Sequence, residues 1–253
     1  MNQRPVVALQ LYTLRDLLQT DMAGALKEVS AMGYEGVEIA GYGDLGFDAA
    51  LNALRANNLK IVGNHAGLDA LQNDLQSVID ENLLLDNKYV ACSYLEPKWH
   101  TKEGFIEVAG ILNEAGVRLN SAGIQLCYHN HDFEFARFDG QYGLDLIYEN
   151  SDPKFLQAEL DTYWVQKGGA DPAAYIEKYS GRVPLLHIKD MKDDESKAFA
   201  EIGTGVLKWP EIFAAAEAAG VIAYIVEQDT CPGDPMDSVR ISIENLKKMG
   251  KLN

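Results

Sequence analysis

Eight short apolar runs alternate along the chain with longer segments whose apolar residues recur at helical spacing. The runs are mostly rich in Val, Ile, Leu or Tyr, which is typical of strands buried on both faces of a parallel sheet. They are VVALQLY (6–12), GVEIAG (36–41), KIVGNHAG (60–67), KYVACSY (88–94), IQLCYHNH (124–131), LQAELDTYW (156–164), VPLLHIKD (183–190) and VIAYIVEQD (221–229). Several of the helical segments between them end in Gly or Asn, residues that tolerate the left-handed conformation at a helix end.

This alternation predicts about eight strand–helix pairs and therefore an α/β protein with a (β/α)₈ TIM barrel. The 253 residues, 47% of them hydrophobic, suffice for one such domain over residues 1–253. The competing fold is a doubly wound open sheet, which usually carries G-x-G-x-x-G after its first strand. Here the first strand is followed by TLRDLLQTD (13–21), which contains no glycine. The sequence therefore favours the barrel.

Polar residues collect at the carboxyl ends of the predicted strands, where the active face of such a barrel lies. The fifth run leads into LCYHNHDFEF (126–135), which places His129, His131 and Glu134 close together in the chain. The other strand ends carry Gln10 and Tyr12; Glu38; Asn64 and His65; Ser93; Asp161 and Trp164; His187, Lys189 and Asp190; Glu227 and Asp229. We expect these side chains to converge on one small volume.

Several of these residues also have an ordinary structural explanation. Asp161 could be a turn residue or a helix N-cap, and His65 could be a hydrogen-bonded residue without a functional role. Lys189 and Asp190 could form a surface pair worth little energy. Glu227 is harder to explain in this way, because a carboxylate at the end of a buried strand needs a cation or several donors.

Composition narrows the classes of partner. The formal net charge of −16 disfavours binding to nucleic acid and to anionic membrane surfaces. Three scattered cysteines without a CxxC pair fit a reducing compartment, and the N-terminus resembles no basic leader with a long apolar run. We expect a cytoplasmic protein that acts on small molecules, with the choice between a monomer and a homo-oligomer left open.

The clustered residue types favour a metal-dependent reaction on a sugar or polyol. Carboxylates combined with imidazoles suit Mn²⁺, Co²⁺, Zn²⁺ or Mg²⁺, which can stabilise an enediolate while nearby groups move a proton. His131 and Glu134 are the candidates to move that proton, and Glu38 and Lys189 are further catalytic candidates. Tyr12, His65 and Trp164 are candidates to contact the substrate. A nucleophilic serine is poorly supported because the chain has no G-x-S-x-G elbow.

One glycine-containing segment, GTGVLKW (203–209), lacks the ending of a phosphate-binding loop. Two interpretations remain open for it. It could be a flexible loop over the mouth of the barrel, or it could be an ordinary connector.

The set ELDTYW, LLHIKD and YIVEQD, placed after YHNHDFEF, resembles the xylose isomerase-like barrel superfamily over essentially the whole chain. That superfamily contains sugar isomerases and epimerases, inosose dehydratases, dehydroshikimate dehydratases and DNA repair enzymes of the endonuclease IV type. The resemblance implies a divalent metal held by Asp161, His187 and Glu227. Many members carry Glu on the fifth strand where this chain has His129, so the fourth ligand is His129, His131 or Glu134, with His129 as our choice.

Three hypotheses follow from the residues and the resemblance together. The first is a metal-dependent sugar or keto-sugar isomerase or epimerase. The second is a metal-dependent dehydratase or lyase acting on a keto-polyol. The H-x-H spacing of this chain favours it, because that spacing also occurs in inosose dehydratase-like members. The third is a barrel that binds a metabolite without turnover. DNA repair is disfavoured by the acidic charge and by the small number of histidines.

Overall fold

The computed structural model describes residues 4–252 and contains a closed barrel of eight parallel strands, as the alternation of apolar runs predicts. Each strand is hydrogen-bonded to its chain neighbours, and the last strand pairs with the first. The strands are β1 (Val6–Gln10), β2 (Gly36–Ile39), β3 (Lys60–Ala66), β4 (Tyr89–Cys92), β5 (Gln125–His129), β6 (Leu156–Asp161), β7 (Leu185–Ile188) and β8 (Ala223–Val226).

Helices alternate with these strands. They are α1 (Arg15–Met32), α2 (Phe47–Ala56), α3 (Leu68–Asn73), α4 (Leu75–Leu84), α5 (Lys102–Ser121), α6 (Gly143–Glu149), α7 (Thr162–Lys167), α8 (Pro172–Lys178), α9 (Trp209–Ala219) and α10 (Pro235–Lys248). Short 3₁₀ turns cover Leu11–Leu14, Pro97–Trp99 and Phe133–Phe135, and two-residue strands form the pairs Arg137–Phe138 with Gln141–Tyr142 and Asp190–Met191 with Phe199–Ala200. Among residues 4–252, no helix is both long enough and apolar enough to cross a membrane.

Two compact units are distinguished by their internal contacts. The described part of the first unit comprises residues 4–62, 187–209 and 222–252. In it, β1 pairs in parallel with β8 and with β2, and the second pairing sets Gln10 opposite Glu38. Helix α10 begins at Pro235 after the N-cap Asp234, whose carboxylate accepts a hydrogen bond from the backbone N–H of Met236.

The second unit comprises residues 63–186 and 210–221. In it, β4, β5 and β6 pair in parallel, and the register sets His129 opposite Glu159. Helix α5 begins after Thr101, whose hydroxyl accepts from the N–H of Gly104, and it packs against β5 with Phe105 fully buried. In both units the polar residues at the strand ends are therefore held by buried, regular structure.

Candidate functional site

In the first unit, the imidazole of His187 lies between two carboxylates at the carboxyl ends of the strands. Its Nδ1 is 2.9 Å from Glu227 Oε2, and its Nε2 is 2.7 Å from Glu38 Oε2. All three side chains are buried. Gln10 donates a 2.8 Å hydrogen bond from Nε2 to the same oxygen of Glu38, as the β1–β2 register allows. The site therefore contains a buried cluster in which imidazole and carboxylate alternate.

Lys189 extends this cluster with a buried positive charge. Its Nζ lies 2.7 Å from Glu227 Oε2 and 3.1 Å from Asp229 Oδ2. The interpretation of Lys189 and Asp190 as a surface pair is wrong, because both side chains are completely buried. A buried ammonium group requires nearby anions to offset its lost hydration, and these two carboxylates supply them.

Asp190 fastens the segment that follows the seventh strand. Its carboxylate accepts hydrogen bonds from the backbone N–H groups of Gly203, Gly205 and Leu207 at 2.9–3.1 Å and from Trp209 Nε1 at 2.8 Å. A Cβ on Gly205 would lie 2.2 Å from the carbonyl oxygen of Met191, so this position requires glycine. Residues 203–209 are therefore an anchored connector, which favours the second of the two interpretations left open for them.

In the second unit, Glu159 joins two histidines from neighbouring strands. Its Oε1 is 2.9 Å from His65 Nε2 and 3.1 Å from His129 Nδ1. Sequence reasoning did not select Glu159, although its spacing from Asp161 places both side chains on one face of β6. His65, His129 and Glu159 each offer a ligand atom within 4.8 Å of the others, so this group could hold a metal ion.

Asp161 serves two purposes through its two oxygens. Oδ1 accepts a 3.0 Å hydrogen bond from the N–H of Trp164 and caps α7, which is the structural role considered for this residue. Oδ2 lies 3.9 Å from His129 Nε2. The backbone N–H of Asp161 donates to Asn130 Oδ1 at 3.0 Å, which ties the end of β6 to the residue after β5. The cap therefore fixes the carboxylate beside the imidazole.

Glu134 lies beneath the loop that carries His131. The hydroxyl of Tyr128 donates a 2.6 Å hydrogen bond to Oε1, and the backbone N–H of His131 donates a 2.9 Å hydrogen bond to Oε2. Burial raises the pKa of the Glu134 carboxyl from 4.5 to about 8, although both hydrogen bonds oppose that rise. Both oxygens of Glu134 are thus hydrogen-bonded within the protein.

Aromatic side chains surround the ring of His131. Phe133 is stacked on it at 5.5 Å between ring centroids, while Tyr94 meets it edge-on at 5.4 Å and Trp164 lies tilted at 5.3 Å. Lys167 places its ammonium 4.6 Å from the Trp164 ring. These contacts fix the imidazole while it stays partly exposed to solvent.

Tyr12, the remaining predicted residue, belongs to the 3₁₀ turn after β1. Its side chain is exposed, and the guanidinium of Arg15 lies 4.3 Å from its ring centroid. Its substrate contact stays a prediction.

Comparisons with known proteins agree with this architecture. Residues 26–249 match the family model described as xylose isomerase-like TIM barrel. The chain is 22% identical over 184 residues to a protein named inosose dehydratase from Lacticaseibacillus casei, an alignment that covers 65% of this chain and only 58% of that relative.

Solved structures share the fold over nearly the whole chain. A sugar phosphate isomerase/epimerase from Parabacteroides distasonis ATCC 8503 is similar with a TM-score of 0.85 and 26% identity, covering 98% of this chain and 95% of the other. A probable 3-DHS dehydratase from Bacillus anthracis has a TM-score of 0.75 at 13% identity, covering 95% and 98% of the two chains. The second likeness is one of fold alone.

Proposed function

We propose that this chain, which belongs to the xylose isomerase-like TIM barrel family, is a metal-dependent isomerase or epimerase of sugars or keto-sugars. The observation that carries the proposal is the buried contact of His187 with the carboxylates of Glu38 and Glu227 at the ends of barrel strands. Buried clusters of this composition are common at catalytic and metal sites, because burying charged groups costs free energy that a bound cation can offset. We further propose that the protein acts in the cytoplasm on a small sugar or polyol and does not act on nucleic acid.

The proposed metal ligands are His129, Asp161, His187 and Glu227. Two observations support the fit. In the second unit, His129 Nε2 and Asp161 Oδ2 lie 3.9 Å apart, and in the first unit His187 Nδ1 and Glu227 Oε2 lie 2.9 Å apart. The mixed nitrogen and oxygen donors suit Mn²⁺, Co²⁺ or Zn²⁺, with Mg²⁺ less favoured by imidazole. When bound, such a cation supplies Lewis-acid stabilisation of the enediolate charge on the substrate.

The proton carriers proposed beside these ligands are His131 and Glu38. His131 is partly exposed and held by rings on several sides, so its imidazole can exchange a proton with a bound substrate at a fixed position. Lys189, whose ammonium lies 2.7 Å from Glu227, offsets part of the negative charge of that carboxylate. Glu134 acts on His131 through the backbone N–H and is therefore proposed as a positioning residue.

The substrate would contact Tyr12, His65 and Trp164. Tyr12 offers an exposed phenol, and His65 is partly exposed while it is held by Glu159 at 2.9 Å. Trp164 packs beside His131 and provides an apolar surface of the kind on which sugar rings stack.

A second candidate function is dehydration of a keto-polyol. The relatives from Lacticaseibacillus casei and from Lactiplantibacillus plantarum are both named inosose dehydratase, and the second alignment covers 88% of this chain at 21% identity. Both reactions begin with removal of a proton alpha to a carbonyl. In the dehydration a β-hydroxyl then leaves, with Lys189 or His131 as candidate acid.

The test is incubation of the metal-loaded protein with a panel of keto-sugars and keto-polyols in deuterated water. Exchange of a carbon-bound proton without a change in composition supports the isomerase or epimerase, and loss of water detected by mass selects the dehydratase. Absence of exchange across the panel would favour a barrel that only binds a metabolite.

Metal analysis of the Glu227→Gln variant tests the ligand assignment. We expect a marked fall in bound metal relative to wild type, with the exposed Glu244→Gln variant as the control. Unchanged metal content in Glu227→Gln would remove this residue from the proposed ligand set.

A further inference from the structure

A cavity of about 460 Å³ lies in the second unit between the segments that follow β3 and β4. Its lining includes the start of α3 and the 3₁₀ turn Pro97–Trp99. The volume is within the range of small-molecule sites in proteins. None of the residues assigned above as a metal ligand or proton carrier belongs to its lining.

Two aromatic residues contribute to the walls of this cavity. Tyr94 is about half exposed, and Trp99 is partly exposed. The ring of Tyr94 also meets the ring of His131 edge-on at 5.4 Å. Tyr94 therefore contacts both the cavity and the proposed proton carrier, which places the cavity beside His131.

The polar groups of the cavity select against a phosphate. Lys98 is the one cation in the lining, and its Nζ is 2.7 Å from Glu96 Oε2 and 5.4 Å from the centroid of the Trp99 ring. Asp69 adds a second carboxylate, which leaves the lining with a net negative charge. A phosphate dianion would be repelled by this field, whereas Asp69 and the amide of Gln72 can exchange hydrogen bonds with neutral hydroxyl groups.

We propose that this cavity binds a second, uncharged sugar ring, so that the substrate class is a glycoside or disaccharide rather than a sugar phosphate. The proposal rests on the proposed function for its account of the reacting ring. Trp99 and Tyr94 supply the apolar faces on which a pyranose ring stacks, and Asp69 and Gln72 meet its hydroxyl groups.

Binding measurements on the metal-loaded full chain test this subsite. The probes are cellobiose, trehalose, glucose and glucose 6-phosphate, followed by titration calorimetry and by saturation transfer from protein to ligand in NMR spectra. We expect a disaccharide to bind at least about tenfold more tightly than glucose or glucose 6-phosphate. Trp99→Ala should abolish most of that advantage, whereas Trp99→Phe should retain it and the exposed control Leu84→Ala should not change it.

Three results would overturn the subsite. They are a preference for glucose 6-phosphate, disaccharide binding that Trp99→Ala leaves unchanged, and no disaccharide binding to a folded, metal-loaded chain. Metal content measured on the same samples separates the two proposals. A chain that binds disaccharide through Trp99 but takes up no divalent metal keeps the subsite and refutes the metal-dependent function.

Discussion

The ammonium group of Lys189 lies 2.7 Å from the carboxylate of Glu227, and both side chains are buried at the end of the barrel. The same ammonium group donates a 3.1 Å hydrogen bond to Asp229 Oδ2. The positive charge of Lys189 therefore offsets part of the negative charge that would otherwise accumulate where we propose a cation.

Removal of Lys189 should make the chain depend on metal for its stability. Lys189→Met leaves Glu227 without its closest cationic partner, and loss of one member of a buried pair typically costs about 3–5 kcal/mol. We expect the metal-free variant to unfold at a lower temperature than wild type, and added Mn²⁺ to raise its melting temperature by more than it raises that of wild type. Thermal unfolding with and without Mn²⁺ measures both effects. The exposed Lys88→Met variant is the control, and an equal response to Mn²⁺ in all three proteins would contradict the prediction.

Glu134 should make stability depend on pH. Its pKa is raised from 4.5 to about 8 in the folded chain because it is buried, so the folded state holds a proton that the unfolded state loses. The stabilisation is fully present below pH 4.5 and is lost as the pH rises through about 8, at no more than about 1.4 kcal/mol per pH unit. Urea unfolding of wild type and Glu134→Gln across this range measures the difference.

We expect the free energy of unfolding of Glu134→Gln to fall less steeply with pH than that of wild type. Tyr128→Phe keeps the Glu134 carboxyl but removes the hydroxyl that donates to it at 2.6 Å. This variant should therefore retain the pH dependence of stability, with the Glu134 pKa raised further. Parallel curves for wild type and Glu134→Gln would show that Glu134 does not titrate in this range.

Glu159 should control metal affinity although it is not among the proposed ligands. Its contact with His129 Nδ1 leaves the other ring nitrogen facing Asp161 at 3.9 Å. Groups that orient a metal-bound histidine typically contribute about 10–100-fold in metal affinity. Glu159→Gln should therefore weaken Mn²⁺ binding by about that factor in a calorimetric titration, whereas the exposed Glu114→Gln should not. Equal affinities would exclude this orienting role.

Asp190 should stabilise the connector at residues 203–209. Asp190→Asn replaces one acceptor oxygen by a donor that faces N–H groups, so we expect a loss of roughly 2–4 kcal/mol in the free energy of unfolding. Limited proteolysis should then cut within this segment at a higher rate than in wild type. The exposed Asp193→Asn variant serves as control, and unaltered cleavage would show that the segment is held by other contacts.

The sequence predicted the barrel because each of the eight barrel strands lies inside one of the eight apolar runs. The apolar runs extend beyond the ends of the observed strands. The polar residues at the end of a run do not indicate where the pairing between strands stops. The sixth run shows this, because α7 already begins at Thr162 and Trp164 is helical.

The candidate site was less accessible from the sequence. Glu159 was overlooked because it stands within an apolar run, although its alternation with Asp161 could have identified it. The role of Asp190 could not be predicted, because its donors, which are backbone groups and the Trp209 indole, belong to a connector later in the chain. The burial of Glu134 and its hydrogen bond from the His131 backbone could not be predicted from the sequence, because both depend on tertiary packing.

The two oxygens of Asp161 have a consequence for evolution and for design. One of them starts a helix while the other faces an imidazole, so an exchange for Ala would remove the helix cap as well as the charge beside His129. His129, in contrast, is not the N-cap of a helix. Libraries intended to retune metal preference should therefore diversify position 129 and leave position 161 untouched.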